Sequence, residues 1–275
     1  MDVSLKDGFA PQISRAGQKS FSVMLVVFSL PLVLLVVLPL LKMVSAPSLA
    51  DLLLTIQDKE VVAALARSLG CALSSAFIAL LFGTPLAYLL ARKNFTGKRL
   101  VEGIVDLPIM IPHPVIGIAL LSVSGRNHPL GRLLADIGVQ LMGTWTGIIT
   151  VMLFVGLPFY VNTVKAAFEA VPPRLENVSR TLGAPMFSTF FRVTLPLVWR
   201  SVVLGMIMAT ARAISEFGAI VIVAYHPMTA PVLIYERFTA HGLQYSQPVA
   251  VWLILISLAL FVLMRFFAGK GNEHA

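Results

Sequence analysis

Two ionisable residues stand inside a stretch that is otherwise free of charge. Arg212 and Glu216 fall within an apolar run over residues 201–224, four positions apart, which puts them on one face if the run is helical. A bare charge in hydrocarbon costs about 3 kcal/mol or more, so each of the two requires a partner, water or a function. With Ser215 beside them they suit the lining of a translocation path or its gate. The competing reading is a pair that only locks helix packing. A passing anion gains from Arg212, and Glu216 cancels much of that charge.

The second candidate is the polar stretch 165–200. It is too polar to span a membrane and too patterned to be a linker. Pro172 and Pro173 suit the start of a helix, where their missing donors cost little. After Arg174, the residues Leu175, Val178 and Leu182 recur at helical spacing, while Asn177, Arg180 and Thr181 lie off that stripe beside Glu176. Gly183 is placed to end the helix in a left-handed conformation, and Ala184-Pro185 starts a new direction. Phe187, Phe190, Phe191, Val193 and Leu195 form a second apolar stripe before Pro196. The spacing therefore predicts a short helix, a sharp turn and a second helix. Such an amphipathic helix either lays its face in the groove of a partner or rests on lipid, and periodicity alone does not separate the two.

Signatures of catalysis are missing from the sequence. It contains no G-x-x-x-x-G-K-[ST] phosphate loop, no H-E-x-x-H and no G-x-S-x-G. His128, His226 and His241 lack metal-ligand spacing with a third ligand. Cys71 lies in an apolar run and reads as a small packed residue. Gly143 and Gly147 form a small-x-x-x-small pair that suits close helix packing.

The elements that must position these residues follow from hydropathy. The chain is 57% hydrophobic and 12% charged, against about 25% charged in an ordinary soluble domain. Lipid must be the solvent for much of it. Apolar runs predict six spans, at 21–41, 68–91, 101–124, 145–164, 201–224 and 249–264. Pro108, Pro112 and Pro114 predict a kinked or broken third span. Residues 47–67 read as a partly helical connector, and residues 125–143 and 225–247 read as loops. Residues 1–20 and 269–275 are expected as tails around a membrane domain at 21–268. The net charge of +8 is spread between apolar runs, which points to topology and away from nucleic acid. With the N-terminus placed in the cytoplasm, the cytoplasmic segments hold fourteen Lys and Arg and the external ones six. Both termini of a multi-pass cell-membrane protein are therefore expected inside.

Several of these stretches carry a resemblance. Arg180-Thr181-Leu182-Gly183-Ala184, followed by Phe190-Phe191-Arg192-Val193-Thr194-Leu195-Pro196, resembles the cytoplasmic loop of ABC importer permeases. That loop reads Glu-Ala-Ala, three residues, Gly, nine residues, an aliphatic, one residue and Leu-Pro. Gly183, Val193, Leu195 and Pro196 keep the spacing, while Asn177-Val178-Ser179 replaces Glu-Ala-Ala with Glu176 just before it. The stretches 83–92 and 97–108 are similar to the molybdate/tungstate and sulfate group of these permeases. So are 212–219 and 231–236, and together they favour molybdate/tungstate over sulfate.

The resemblance implies an all-α polytopic permease with about six transmembrane helices and a coupling helix between spans four and five. It implies a homodimer working with two ATPase subunits, which would bind ATP and Mg, and an extracytoplasmic oxyanion-binding protein. No cofactor is expected in this chain. Residues 174–178 and 180–185 would contact the ATPase. The alternatives are a sulfate/thiosulfate permease or a secondary transporter driven by an ion gradient. The latter leaves the 165–200 segment unexplained and usually shows repeated halves.

Overall fold

The computed structural model describes residues 15–125 and 127–268. The expected tails lie partly or wholly outside these: residues 1–14 and 269–275 are not described, while residues 15–20 are helical. The chain divides into two units, residues 1–48 and 49–275. Among its described residues the first holds one long helix, α1 (Arg15–Ser45), which carries Pro31 and Pro39 within it. Its apolar stretch Phe21–Ser45 is long enough for a membrane span.

The second unit is helical throughout its described elements. It contains α2 (Leu49–Gln57), α3 (Lys59–Arg92), α4 (Lys98–Met110), α5 (His113–Ser124) and α6 (Pro129–Asp136). These are followed by α7 (Trp145–Ala170), α8 (Pro173–Thr181), α9 (Met186–Ile214) and α10 (Ile220–Val223), then α11 (Ala230–His241) and α12 (Leu243–Ala268). Helices α1, α3, α7, α9 and α12 are each long and apolar enough to cross a membrane, and α4 and α5 meet that requirement only together, as a broken sixth span or a re-entrant pair. In lipid every backbone donor and acceptor must be satisfied within the protein, which forces the apolar runs into helix.

The third span breaks more sharply than a kink. The chain bends by 117° between α4 and α5. Pro112 and Pro114 supply no N–H, and a residue before proline is pushed out of the helical region. Ile111 sits accordingly at φ −79°, ψ 133°.

The fifth span also differs from the expected 201–224. It starts at Met186 and ends at Ile214, so Glu216 lies beyond the helix that carries Arg212. Two local causes end it. Glu216 Oε1 accepts the Ala219 N–H at 2.9 Å, taking a donor that a continuing helix would use. Gly218 lies so close to His113 that a Cβ there would sit 2.8 Å from the His113 Cβ.

The early start of α9 shrinks the polar segment. Only residues 171–185 lie outside the long helices, because α7 runs to Ala170 and α9 begins at Met186. Spans two, four and six are likewise longer than their apolar cores. Three expected connectors hold helices of their own, namely α2, α6 and α11.

Among the described residues two wide π turns occur, Ala79–Gly83 in α3 and Phe190–Thr194 in α9. Each lies just before a proline, Pro85 and Pro196. A proline ring clashes with the carbonyl four residues back, here that of Leu81 or Arg192. Both carbonyls fall inside a π turn, where the wider register gives room.

Helix α7 is the centre of the unit. Ile148, Val151, Met152 and Val155 belong to one buried cluster, and Tyr160, Val161, Val164 and Phe168 to the other. Its main neighbour is α9. Small residues let the two approach: a Cβ at Gly156 would lie 3.1 Å from the Ala209 carbonyl, and one at Gly205 would lie 3.0 Å from Val164. Lipid supplies no hydrophobic drive for helices to associate, so such close packing carries the association. The Gly143/Gly147 pair serves another purpose. Gly143 is left-handed at φ +67°. A Cβ at Gly147 would fall 1.8 Å from the Leu141 carbonyl oxygen. Both shape the turn that enters α7, and they also let α10 approach it: the Gly143 N–H donates to the Val223 carbonyl at 2.9 Å, and a Cβ at Gly147 would lie 3.1 Å from the Val223 side chain.

Candidate functional site

The segment between α7 and α9 folds as a helix and a turn. Pro172 precedes α8, and Pro173 opens it at a position where the missing donor is harmless. The helix closes on Gly183, which adopts φ +88°. The Gly183 N–H donates to the Arg180 carbonyl at 3.0 Å and the Ala184 N–H to that of Ser179 at 3.1 Å. These satisfy carbonyls that the helix end would otherwise leave bare.

Leu175, Val178 and Leu182 all face outward, Leu182 with 83% of its surface exposed. Arg174, Asn177, Arg180, Thr181 and Pro185 are exposed as well, while Ala184 is half-buried. Asn177, Arg180, Thr181, Gly183, Ala184 and Pro185 border one open groove. An unsupported nine-residue helix is marginal in water, so α8 must be held from its other side. Glu176 does this. It turns inward, accepts from Arg92 Nε at 2.9 Å and from the Tyr88 hydroxyl at 3.0 Å.

The second constellation lies where the breaks of the third and fifth spans meet. Arg212 Nη2 donates to Glu216 Oε2 at 3.0 Å. His113, the first residue of α5, places Nδ1 2.9 Å from the same carboxylate oxygen and Nε2 2.9 Å from Arg212 Nη2. These contacts fit a ring that donates from Nδ1 to the carboxylate and accepts at Nε2 from the guanidinium. Glu216 is 1% exposed and is satisfied by Arg212, His113 and the Ala219 N–H. Ser215 is exposed, donates to the Arg212 carbonyl at 3.0 Å and lies 3.4 Å from Arg212 Nη1. The knot is chemically a compensated ion pair that leaves part of the guanidinium and the His113 ring accessible.

The structure thus brings Arg212, Ser215 and Glu216 together as the sequence expected. It keeps residues 174–185 in one exposed segment apart from the half-buried Glu176, Ser179 and Ala184. Sequence reasoning missed His113, which is 99 positions from Arg212, along with Tyr88 and Arg92. It also missed the polar contacts from α4 to α7, where Glu102 pairs with Lys165 and Asn162 donates to Asp106 at 2.6 Å. The available signal was an acidic or basic residue at the border of each apolar run, with no indication of which would pair.

The described residues thus form membrane-length helices, short helices outside them and a compensated charge pair where two of the long runs break. The family described as binding-protein-dependent transport system inner membrane component matches residues 83–270, and the chain belongs to it. It is 44% identical over 250 residues to the molybdate/tungstate transport system permease protein WtpB of Methanocaldococcus jannaschii, covering 90% of this chain and 97% of that protein. The protein of the same name from Pyrococcus abyssi is 48% identical over 219 residues, covering 80% and 83%. A probable sulfate transport system permease protein of Chlorokybus atmophyticus is 35% identical over 186 residues, covering 66% and 64%. Among solved structures, a bacterial ABC transporter involved in the import of the acidic polysaccharide alginate shares the fold. Its TM-score is 0.67 at 17% identity, covering 93% of this chain and 98% of that one.

Proposed function

We propose that this chain is the translocation subunit of an ATP-driven importer for molybdate and tungstate. It works as two copies with two ATPase subunits, which bind ATP and Mg. It receives its anion from an extracytoplasmic binding protein, and both termini face the cytoplasm. The observation that carries this reading is the 44% identity, spread over nearly the whole chain, with a molybdate/tungstate permease. The exposed apolar face of α8 supports the ATPase contact, since Leu175, Val178 and Leu182 are all exposed to solvent. ATP binding draws the two copies of α8 together and rocks the spans between inward-open and outward-open states. The ATPase drives this because it binds the two states with different affinity. Arg212, Ser215 and Glu216 line the path or its gate.

The test is isotope uptake of molybdate, tungstate and sulfate into vesicles that hold the assembled complex. Accumulation of molybdate and tungstate on addition of ATP is expected. Preferential sulfate uptake makes this a sulfate importer. Uptake that ignores ATP and follows an imposed ion gradient overturns the reading.

A further inference from the structure

The inner end of α3 is joined to α8 by a closed set of contacts. Glu176 spends both carboxylate oxygens on two residues one turn apart, Oε1 on Arg92 and Oε2 on Tyr88. Arg92 reaches further, donating from Nη2 to the Val171 carbonyl at 3.0 Å where α7 ends. Only 10% of the Arg92 side chain and 13% of that of Glu176 are exposed. The Tyr88 ring stands edge-on to Phe168 of α7 at 5.3 Å and to Phe190 of α9 at 5.0 Å. Helices α3, α7, α8 and α9 therefore converge on one turn of α3. Ser179 and Thr189 add a second tie, hydroxyl to hydroxyl at 3.0 Å, between α8 and α9.

Breaking a buried pair by moving one partner away leaves a desolvated charge, which is far costlier than the pair's net contribution. The joint resists parting for this reason. A load applied to the outer face of α8 shifts α3 and α7 before it peels α8 off them.

We propose that Arg92, Glu176 and Tyr88 form a brace that carries the movement of the ATPase subunit from α8 into spans α3 and α7. This rests on the coupling role of α8 set out above. The three are positioning residues: none need touch the anion or ATP. A brace that only stabilised the fold would, when cut, lower thermal stability and every activity together. A transmitting brace, when cut, separates them.

The experiment uses the complete complex in vesicles, with its binding protein and ATPase, and reads molybdate taken up per ATP hydrolysed. Arg92→Gln is expected to assemble with the ATPase and hydrolyse ATP, while uptake per ATP falls about tenfold, a size ordinary for coupling between sites. Tyr88→Phe keeps the ring packing, removes one hydrogen bond and is expected to lower the ratio by a smaller factor. It serves if Arg92→Gln fails to fold. The exchange Arg92→Glu with Glu176→Arg is expected to recover most of the ratio. A wild-type ratio in both single variants overturns the brace, as does a uniform loss of stability and all activities that the exchange does not rescue. Leu182→Asp separates the two levels of the argument. If it leaves ATPase association and uptake intact, the coupling role of α8 falls and the brace with it. If it abolishes association while the Arg92 and Tyr88 variants keep the normal ratio, the brace alone falls.

Discussion

Gly183 offers a direct test of whether the turn after α8 must hold its shape. It adopts φ +88°, and a Cβ built on it meets nothing within 4 Å. Replacement therefore creates no clash, and its whole cost lies in the backbone. An L-residue in the left-handed region costs about 1–2 kcal/mol, and a β-branched one stands at the upper end. About 1.4 kcal/mol is a tenfold change in an equilibrium. In Gly183→Val the equilibrium constant for the native turn then falls about tenfold, and the apparent affinity of any partner that needs it falls by at most that factor. Asn tolerates this backbone region, so Gly183→Asn loses much less. The assay titrates the ATPase subunit onto detergent-solubilised permease and follows uptake in parallel. Melting of the spans should stay near that of the unaltered protein, because Gly183 packs against nothing. Two results refute the reasoning: Val binding the ATPase as tightly as Gly, or Asn losing as much as Val.

Three further outcomes are expected. Gly147→Ala forces a Cβ to 1.8 Å from the Leu141 carbonyl oxygen, a backbone atom that cannot step aside, so the yield of folded protein collapses. Gly70→Ala, with nothing within 4 Å, is the control that stays folded, and size-exclusion profiles compare them. Glu216→Ala leaves the Arg212 charge without its counter-ion and the Ala219 N–H unpaired, and lowers stability by about 3–5 kcal/mol. The double replacement Arg212→Met with Glu216→Met costs clearly less, and equal losses in thermal melts contradict the compensated pair. Asp58 gives a pH test outside the spans. Burial opposes its ionisation, but the hydrogen bond from Arg237 and the Glu60 N–H, with the charge of Arg237, hold its carboxyl below the ordinary range. A lowered folded pKa means the contribution is present above about pH 4 and is lost as pH falls through the folded value. The stability gap between the wild type and Asp58→Asn should accordingly close on acidification, and a gap that widens is the contrary result.

The helical class and the approximate positions of the spans were legible because a bilayer leaves an apolar run only one way to satisfy its backbone. The ends of those spans were not. Helix α9 begins at Met186, fifteen residues before the apolar run at 201, because Phe190 and Leu195 pack against the cluster around Tyr160 and Phe168. An amphipathic stretch can thus continue a span without looking like one. The turn at Gly183 was readable, since a glycine after a helical stripe has few other uses. Arg212 and Glu216 were readable as a pair, although the assumption of a continuous helix between them was not correct.

Sequence by itself determined where hydrocarbon could be met, where prolines forbid regular helix, and which short segment stays outside the spans. These depend on neighbours close in the chain and on the solvent, both of which composition and spacing describe. Only the tertiary structure decided that Glu176 turns in toward Arg92, 84 positions away, while Leu182 turns out. It alone joined His113 to Arg212 and Glu216. Which charge meets which depends on how the helices cross, and that crossing is set by contacts such as Gly156 on Ala209, whose short range leaves no periodic mark along the chain.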